Sequence, residues 1–173
     1  MEQTAKSVNI LVVDDDFGVR ESLKMILKEK YNVSIKSNTE DALLSIRDAE
    51  PDVIFLDIKM PKVNGLDFLE TLQSINSFMP VIIITAFPSS QTAITAFRNG
   101  AFDYIIKPFD TLEVIYAVVE RAIQHRLKSS ENDRLIFNLR RIVRQNFTST
   151  TESLLLAIDA KDSYTANHSK RVS

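Results

Sequence analysis

Four short runs rich in β-branched and aromatic residues, 10–13 (ILVV), 53–56 (VIFL), 81–84 (VIII) and 104–106 (YII), constrain this chain more than any other feature. Each is apolar on both faces and is followed at once by a polar residue, which is the pattern of a strand buried between two layers. A fifth segment, 31–37, alternates apolar Val33 and Ile35 with polar Asn32, Ser34 and Lys36. One wetter face places that strand at a sheet edge.

The intervening stretches carry apolar residues every three or four positions: Val19, Leu23, Ile26 and Leu27, then Ala42, Leu43 and Ile46, then Leu66, Leu69 and Leu72, then Ala93, Ala96 and Phe97. That spacing predicts helices. Asn38 or Thr39 is available to cap the second, Gly100 stands just past the fourth, and Asp110 with Glu113 forms a capping-box pattern at the fifth. Strand and helix thus alternate five times. Parallel strands joined by right-handed helical crossovers give an α/β three-layer sandwich, a flavodoxin-like (βα)5 fold with strand order 2-1-3-4-5 and a C-terminal helical extension.

The chain of 173 residues supports one core and an appendage. Its net charge of -2 with 25% charged residues gives no reason to expect direct nucleic-acid binding. It has no cysteine, so disulfides and thiolate metal sites are excluded, and the cytoplasm is the expected location. Residues 1–7 lack the apolar stretch of a signal peptide, and no apolar run approaches the roughly 20 residues that span a bilayer. No membrane partner is expected.

Past Thr111 the helical spacing runs on through Leu112, Ile115, Val119, Ala122, Ile123 and Leu127, with a break expected near Ser129 and Ser130. Leu135, Leu139, Ile142 and Val143 then form a narrow stripe among Arg134, Arg140, Arg141 and Arg144. Such a stripe calls for a partner helix, so a parallel homodimer through this C-terminal helix is expected, with the arginines as a solvated face.

In an open α/β sheet the ligand site lies beyond the carboxyl ends of the strands. Here those ends carry Asp14, Asp15 and Asp16, then Asp57, then Thr85, then Lys107. Each has an ordinary reading by itself. An aspartate favours a helix N-terminus, Asp57 precedes a turn with Pro61 and Gly65, Thr85 is a β-branched strand residue, and Lys107 is an exposed lysine. Together, crowded carboxylates must take up protons or recruit a cation, and hard oxygen ligands with room for water suit Mg2+.

The stretches ILVVDDD, VIFLDIKMPKVNGLDFL, VIIITA and GAFDYIIKPFD, in this order, resemble the receiver domains of two-component response regulators over about residues 7–125. The resemblance implies that Asp57 accepts a phosphoryl group from a sensor histidine kinase. It implies further that Asp15 ligates Mg2+ directly, that Asp14 acts mainly through water, and that Lys59 contributes its backbone carbonyl. Thr85 and Lys107 would bind the phosphoryl oxygens, and Tyr104 would rotate as Thr85 moves. Asp16 stands at a variable family position and is left to the first helix terminus. Phe87, two residues beyond Thr85, would screen the acyl phosphate from water and slow its hydrolysis.

The last stretch, TESLLLAIDAKDSYTANHSKRV, resembles the opening of HD-GYP domains, which hydrolyse cyclic di-GMP; Asp162, Tyr164, Thr165, His168 and Arg171 carry the likeness. One histidine does not make a catalytic metal site that takes about three protein ligands. The expected organisation is therefore a receiver at 7–125, a helical linker with possible coiled coil at 126–150, and the beginning of an output domain at 151–173. This chain itself is expected to catalyse only gain and loss of its own phosphoryl group, and the full-length protein to be a phosphodiesterase. The alternatives are a receiver with a different output, or a flavin-type binding module on the same fold. Against the latter, an anionic cofactor needs glycine, serine or threonine amides where this chain has three aspartates.

Overall fold

The computed structural model describes residues 8–61, 63–109, 111–129 and 131. The capping pattern at Asp110, the stripe from Leu135 to Val143 and the segment carrying His168 lie outside the described residues.

Five strands, β1 (Asn9–Val13), β2 (Asn32–Lys36), β3 (Val53–Asp57), β4 (Val81–Thr85) and β5 (Asp103–Ile106), form one parallel sheet in the order β2-β1-β3-β4-β5. Four helices alternate with them: α1 (Phe17–Leu27), α2 (Thr39–Asp48), α3 (Gly65–Ile75) and α4 (Ser90–Arg98). A fifth, α5 (112–129), follows β5. The fold expected from the sequence is the fold observed.

Alternating residues of β1, β3 and β4 feed two cores. Leu11, Val13, Ile54, Leu56, Val81 and Ile83 pack with Ala42, Ile46, Leu69, Leu72 and Ala96 of α2, α3 and α4. Ile10, Val12, Val53, Phe55, Ile82 and Ile84 pack on the opposite face with Leu23 and Leu27 of α1 and Ile115, Val118, Val119 and Ala122 of α5. β3 and β4 are buried along their whole length, whereas β2 reads exposed and half-buried throughout, as an edge strand should. Among the described residues no helix is long and apolar enough to cross a membrane.

The helix boundaries follow local chemistry. Asp16 caps α1 by accepting from the Gly18 and Val19 amides, and Asn38 caps α2 by accepting from the Asp41 amide. Gly100 follows the C-cap of α4 at φ +91°, a left-handed conformation that favours glycine.

Candidate functional site

Because all five strands run the same way, their carboxyl ends share one edge of the sandwich, and the polar residues closing four of them meet there. Asp57 is the last residue of β3 and Thr85 the last of β4; both are buried. Asp14 follows β1 and is fully buried. Lys107 follows β5, its backbone amide bonded to the Thr85 carbonyl at 2.8 Å.

The Lys107 ammonium donates to Asp14 Oδ2 at 2.6 Å and stands 3.4 Å from Asp57 Oδ1. Carboxylate oxygens of Asp14, Asp15 and Asp57 lie within 4.8 Å of one another. Three carboxylates therefore face one ammonium. Burial pushes the Asp14 carboxyl above its usual range, the Asp57 charge adds to that push, and the Lys107 and Asp16 hydrogen bonds oppose it without cancelling it. The site is short of positive charge.

A divalent cation fits that deficit. Asp15 is exposed and lines a cleft of about 650 Å³ together with Lys59, Met60, Asn64 and Thr92, so hard oxygen donors are reachable from solvent. Those are the demands of Mg2+, which keeps several waters and one or two carboxylates. The Lys59 ammonium stands 4.2 Å from the centre of the Phe87 ring. Phe87 is itself exposed, two residues beyond Thr85.

The Thr85 hydroxyl accepts from the Phe87 amide at 3.1 Å, which leaves its own hydrogen to donate. Tyr104 differs from a strand tyrosine with a wet hydroxyl: its ring packs against the α3 and α4 core, and its hydroxyl is buried with no hydrogen-bond partner among the described residues. Asp16 stays out of the acidic cluster because its carboxylate is spent on the α1 cap.

Two residues near the site escape sequence reading. Gly65 opens α3, and a Cβ there would stand 2.2 Å from the Asp57 carbonyl oxygen and 2.7 Å from the Ile58 Cα; its amide donates to the Ile58 carbonyl at 2.8 Å. Read from sequence it is only a turn glycine before a helix, and the eight-residue interval from Asp57 is the signal available. Arg20 donates from Nη1 to the Asp14 backbone oxygen at 2.6 Å, and no periodicity announces such a contact.

Residues 10–119 match the family described as response regulator receiver domain. The regulatory protein AtoC of Escherichia coli is 40% identical over 116 residues, covering 66% of this chain and 25% of that protein. The DNA-binding transcriptional regulator NtrC of Proteus hauseri is 39% identical over 118 residues, covering 68% and 25%. The chain thus spans about a quarter of the length of these curated relatives. Among solved structures, NtrX from Brucella abortus in complex with ADP superposes with a TM-score of 0.70 at 32% identity, over 75% of this chain and 30% of that one. A CheY-like receiver domain protein from Methanospirillum hungatei superposes with a TM-score of 0.66 at 27% identity, over 71% and 99%.

Proposed function

Because this chain belongs to the response regulator receiver family, we propose that Asp57 is its phosphoryl acceptor, with a sensor histidine kinase as donor. The observation that carries this reading is the convergence of Asp57, Asp14 and Asp15 on the ammonium side of Lys107 at one mouth of the sheet.

Phosphoryl transfer asks a protein for an in-line nucleophile and for positive charge around the transferred group. An Asp57 carboxylate oxygen attacks phosphorus; the new O–P bond forms as the bond to the donor imidazole nitrogen breaks, and that electron pair stays with the imidazole. Lys107, already within 3.4 Å of Asp57, binds a phosphoryl oxygen as charge develops on it. Asp14, Asp15, Asp57 and the Lys59 carbonyl are the groups that would hold Mg2+, which would supply further positive charge to those oxygens when bound. Thr85 donates its hydroxyl hydrogen to the acyl phosphate, and Tyr104, on the neighbouring strand β5, reports that movement to the surface of α4, β5 and α5. Phosphate shifts the balance only through bonds it makes better in one state, which is the role given to Thr85 and Lys107. Phe87 shields the acyl phosphate from water.

Incubation with Mg2+ and a small phosphodonor, followed by intact mass, tests the assignment. The wild-type chain is expected to gain one phosphoryl group, and Asp57→Asn none. Chelation should block the gain. Labelling of the Asp57→Asn chain to the wild-type extent rules the acceptor out.

For the output, the HD-GYP likeness of 151–173 supports a cyclic di-GMP phosphodiesterase in the full-length protein, joined through a helical, dimerising linker at 126–150. The printed name of NtrC is that of a DNA-binding transcriptional regulator, which supports a receiver with a different output. It also removes support from the expectation that no nucleic acid is bound. The gene sequence beyond residue 173 separates the two. A cytoplasmic location agrees with the kinase as partner.

A further inference from the structure

We propose that Arg20 is a positioning residue for the cation site, holding the acidic turn closed against its own repulsion; this rests on the acceptor reading above. Asp14 and Asp15 belong to a turn that brings their carboxylates to within 4.8 Å of Asp57. Like charges at that separation push the turn open. Besides the strand-end bond from the Asp14 amide to the Lys36 carbonyl at 3.2 Å, three attachments that involve side chains oppose the push. The Asp14 Oδ2 oxygen accepts from Lys107 at 2.6 Å, Oδ1 accepts from the Asp16 amide at 2.9 Å, and the Asp14 carbonyl accepts from Arg20 Nη1 at 2.6 Å.

The Arg20 attachment differs from the other two in what it spends. Lys107 and the Asp16 amide occupy carboxylate oxygens of Asp14, which are candidate ligands, whereas Arg20 takes a backbone oxygen and leaves every carboxylate oxygen to the cation. It brings positive charge to the turn without competing for the site.

Arg20 is itself set in place. Its amide bonds to the Asp16 carbonyl at 3.2 Å within the first turn of α1, and its guanidinium carbon lies 5.7 Å from the centre of the Phe17 ring. A planar guanidinium can donate along one edge while a face rests on an aromatic ring, and a lysine ammonium does only part of this. Asp15 is then held from both sides, by Asp14 pinned through Arg20 and by Asp16 pinned as the α1 cap.

Groups that orient metal ligands typically change metal affinity 10- to 100-fold when removed. The test is calorimetric titration of the full chain with magnesium chloride, with thermal melts run with and without the metal, on wild type, Arg20→Met and Arg20→Lys. Arg20→Met is expected to weaken Mg2+ binding about tenfold, to keep a metal-free melting temperature near wild type, and to lose most of the Mg2+-induced rise. Arg20→Lys should recover part of the affinity. A Kd for Arg20→Met within about twofold of wild type overturns the proposal, as does a drop in metal-free stability with the Mg2+ response intact. Should the methionine variant fail to fold, the lysine variant decides: a wild-type Kd overturns the proposal and a weakened one supports it. A wild-type chain that takes no Mg2+ at all overturns the acceptor reading, and this inference with it.

Discussion

The two ends of the sheet handle charge in opposite ways. At the carboxyl end, buried Asp14 is pushed toward its protonated form even though Lys107 bonds it directly. At the amino end, Arg126 of α5 reaches Glu50 at 2.6 Å and Asp52 at 3.7 Å, in the loop between α2 and β3. Asn76 also donates to Glu50, and the Asn9 amide donates to Asp52 at 2.9 Å. There the Arg126 bond holds the Glu50 carboxyl below its usual range. Folding thus favours the charged form at one end and opposes it at the other. A fold tolerates an unmet charge where chemistry uses it, and the unmet end is the one where the strand termini converge.

The strongest test of this contrast asks what keeps the costly end together. If packing does so, Gly65→Ala should do more harm than any charge change. A Cβ at Gly65 would press on the Asp57 carbonyl oxygen and the Ile58 Cα, both backbone, so relief requires moving Asp57 itself. Overpacking of this kind costs about 1–3 kcal/mol. Urea denaturation should show that loss, and the phosphodonor assay should show slower labelling of Asp57. Unchanged stability together with unchanged labelling would mean that the end of β3 is free to shift.

Much of this arrangement was legible in the residues. The fully apolar runs of β1, β3 and β4 could lie only inside a two-sided sheet, and their closing residues named Asp14, Asp57 and Thr85 directly. Lys107 followed from the same rule at β5. Contacts between a side chain and a distant backbone were not legible. Arg20 on the Asp14 carbonyl, Gly65 against the Asp57 carbonyl and Arg126 on Glu50, 76 residues away, leave no period or composition behind. The buried Tyr104 hydroxyl was hidden for a related reason, since tyrosine suits a strand whether its oxygen is wet or dry.

A smaller effect with an unusual sign is expected from Asp14→Asn. The Asp14 carboxyl is raised above the ordinary aspartate value of 3.8, chiefly by burial, so its contribution to stability is fully present below that value and is lost as pH rises through the raised one. At neutral pH without Mg2+ the ionised group therefore opposes folding, and the neutral amide should stabilise the metal-free chain. A gain of about 1 kcal/mol would raise the melting temperature by roughly 2–8 °C. The advantage should fade as pH falls through the acid range, where wild-type Asp14 is protonated. It should also reverse on adding Mg2+, because the variant has lost a ligand charge. A lower metal-free melting temperature at neutral pH would show that the Lys107 bond outweighs burial.

At the amino end the sign inverts and the magnitude shrinks. The Glu50 carboxyl is lowered below the ordinary glutamate value of 4.5, chiefly by the Arg126 hydrogen bond, so its stabilisation is present above that value and lost as pH falls through the lowered one. Its side chain is 47% exposed, so solvent screening keeps the pair within the range of surface ion pairs, about 0.2–1 kcal/mol. Glu50→Gln should therefore lower the melting temperature slightly at neutral pH and make no difference in strong acid, where Glu50 is protonated in both states. High salt should shrink the effect further, because an exposed pair is screened over about 10 Å at 0.1 M. Paired melts of Glu50→Gln and Asp14→Asn across pH should accordingly diverge in opposite directions from wild type as pH rises. Parallel curves would mean that the two ends of the sheet are electrostatically alike.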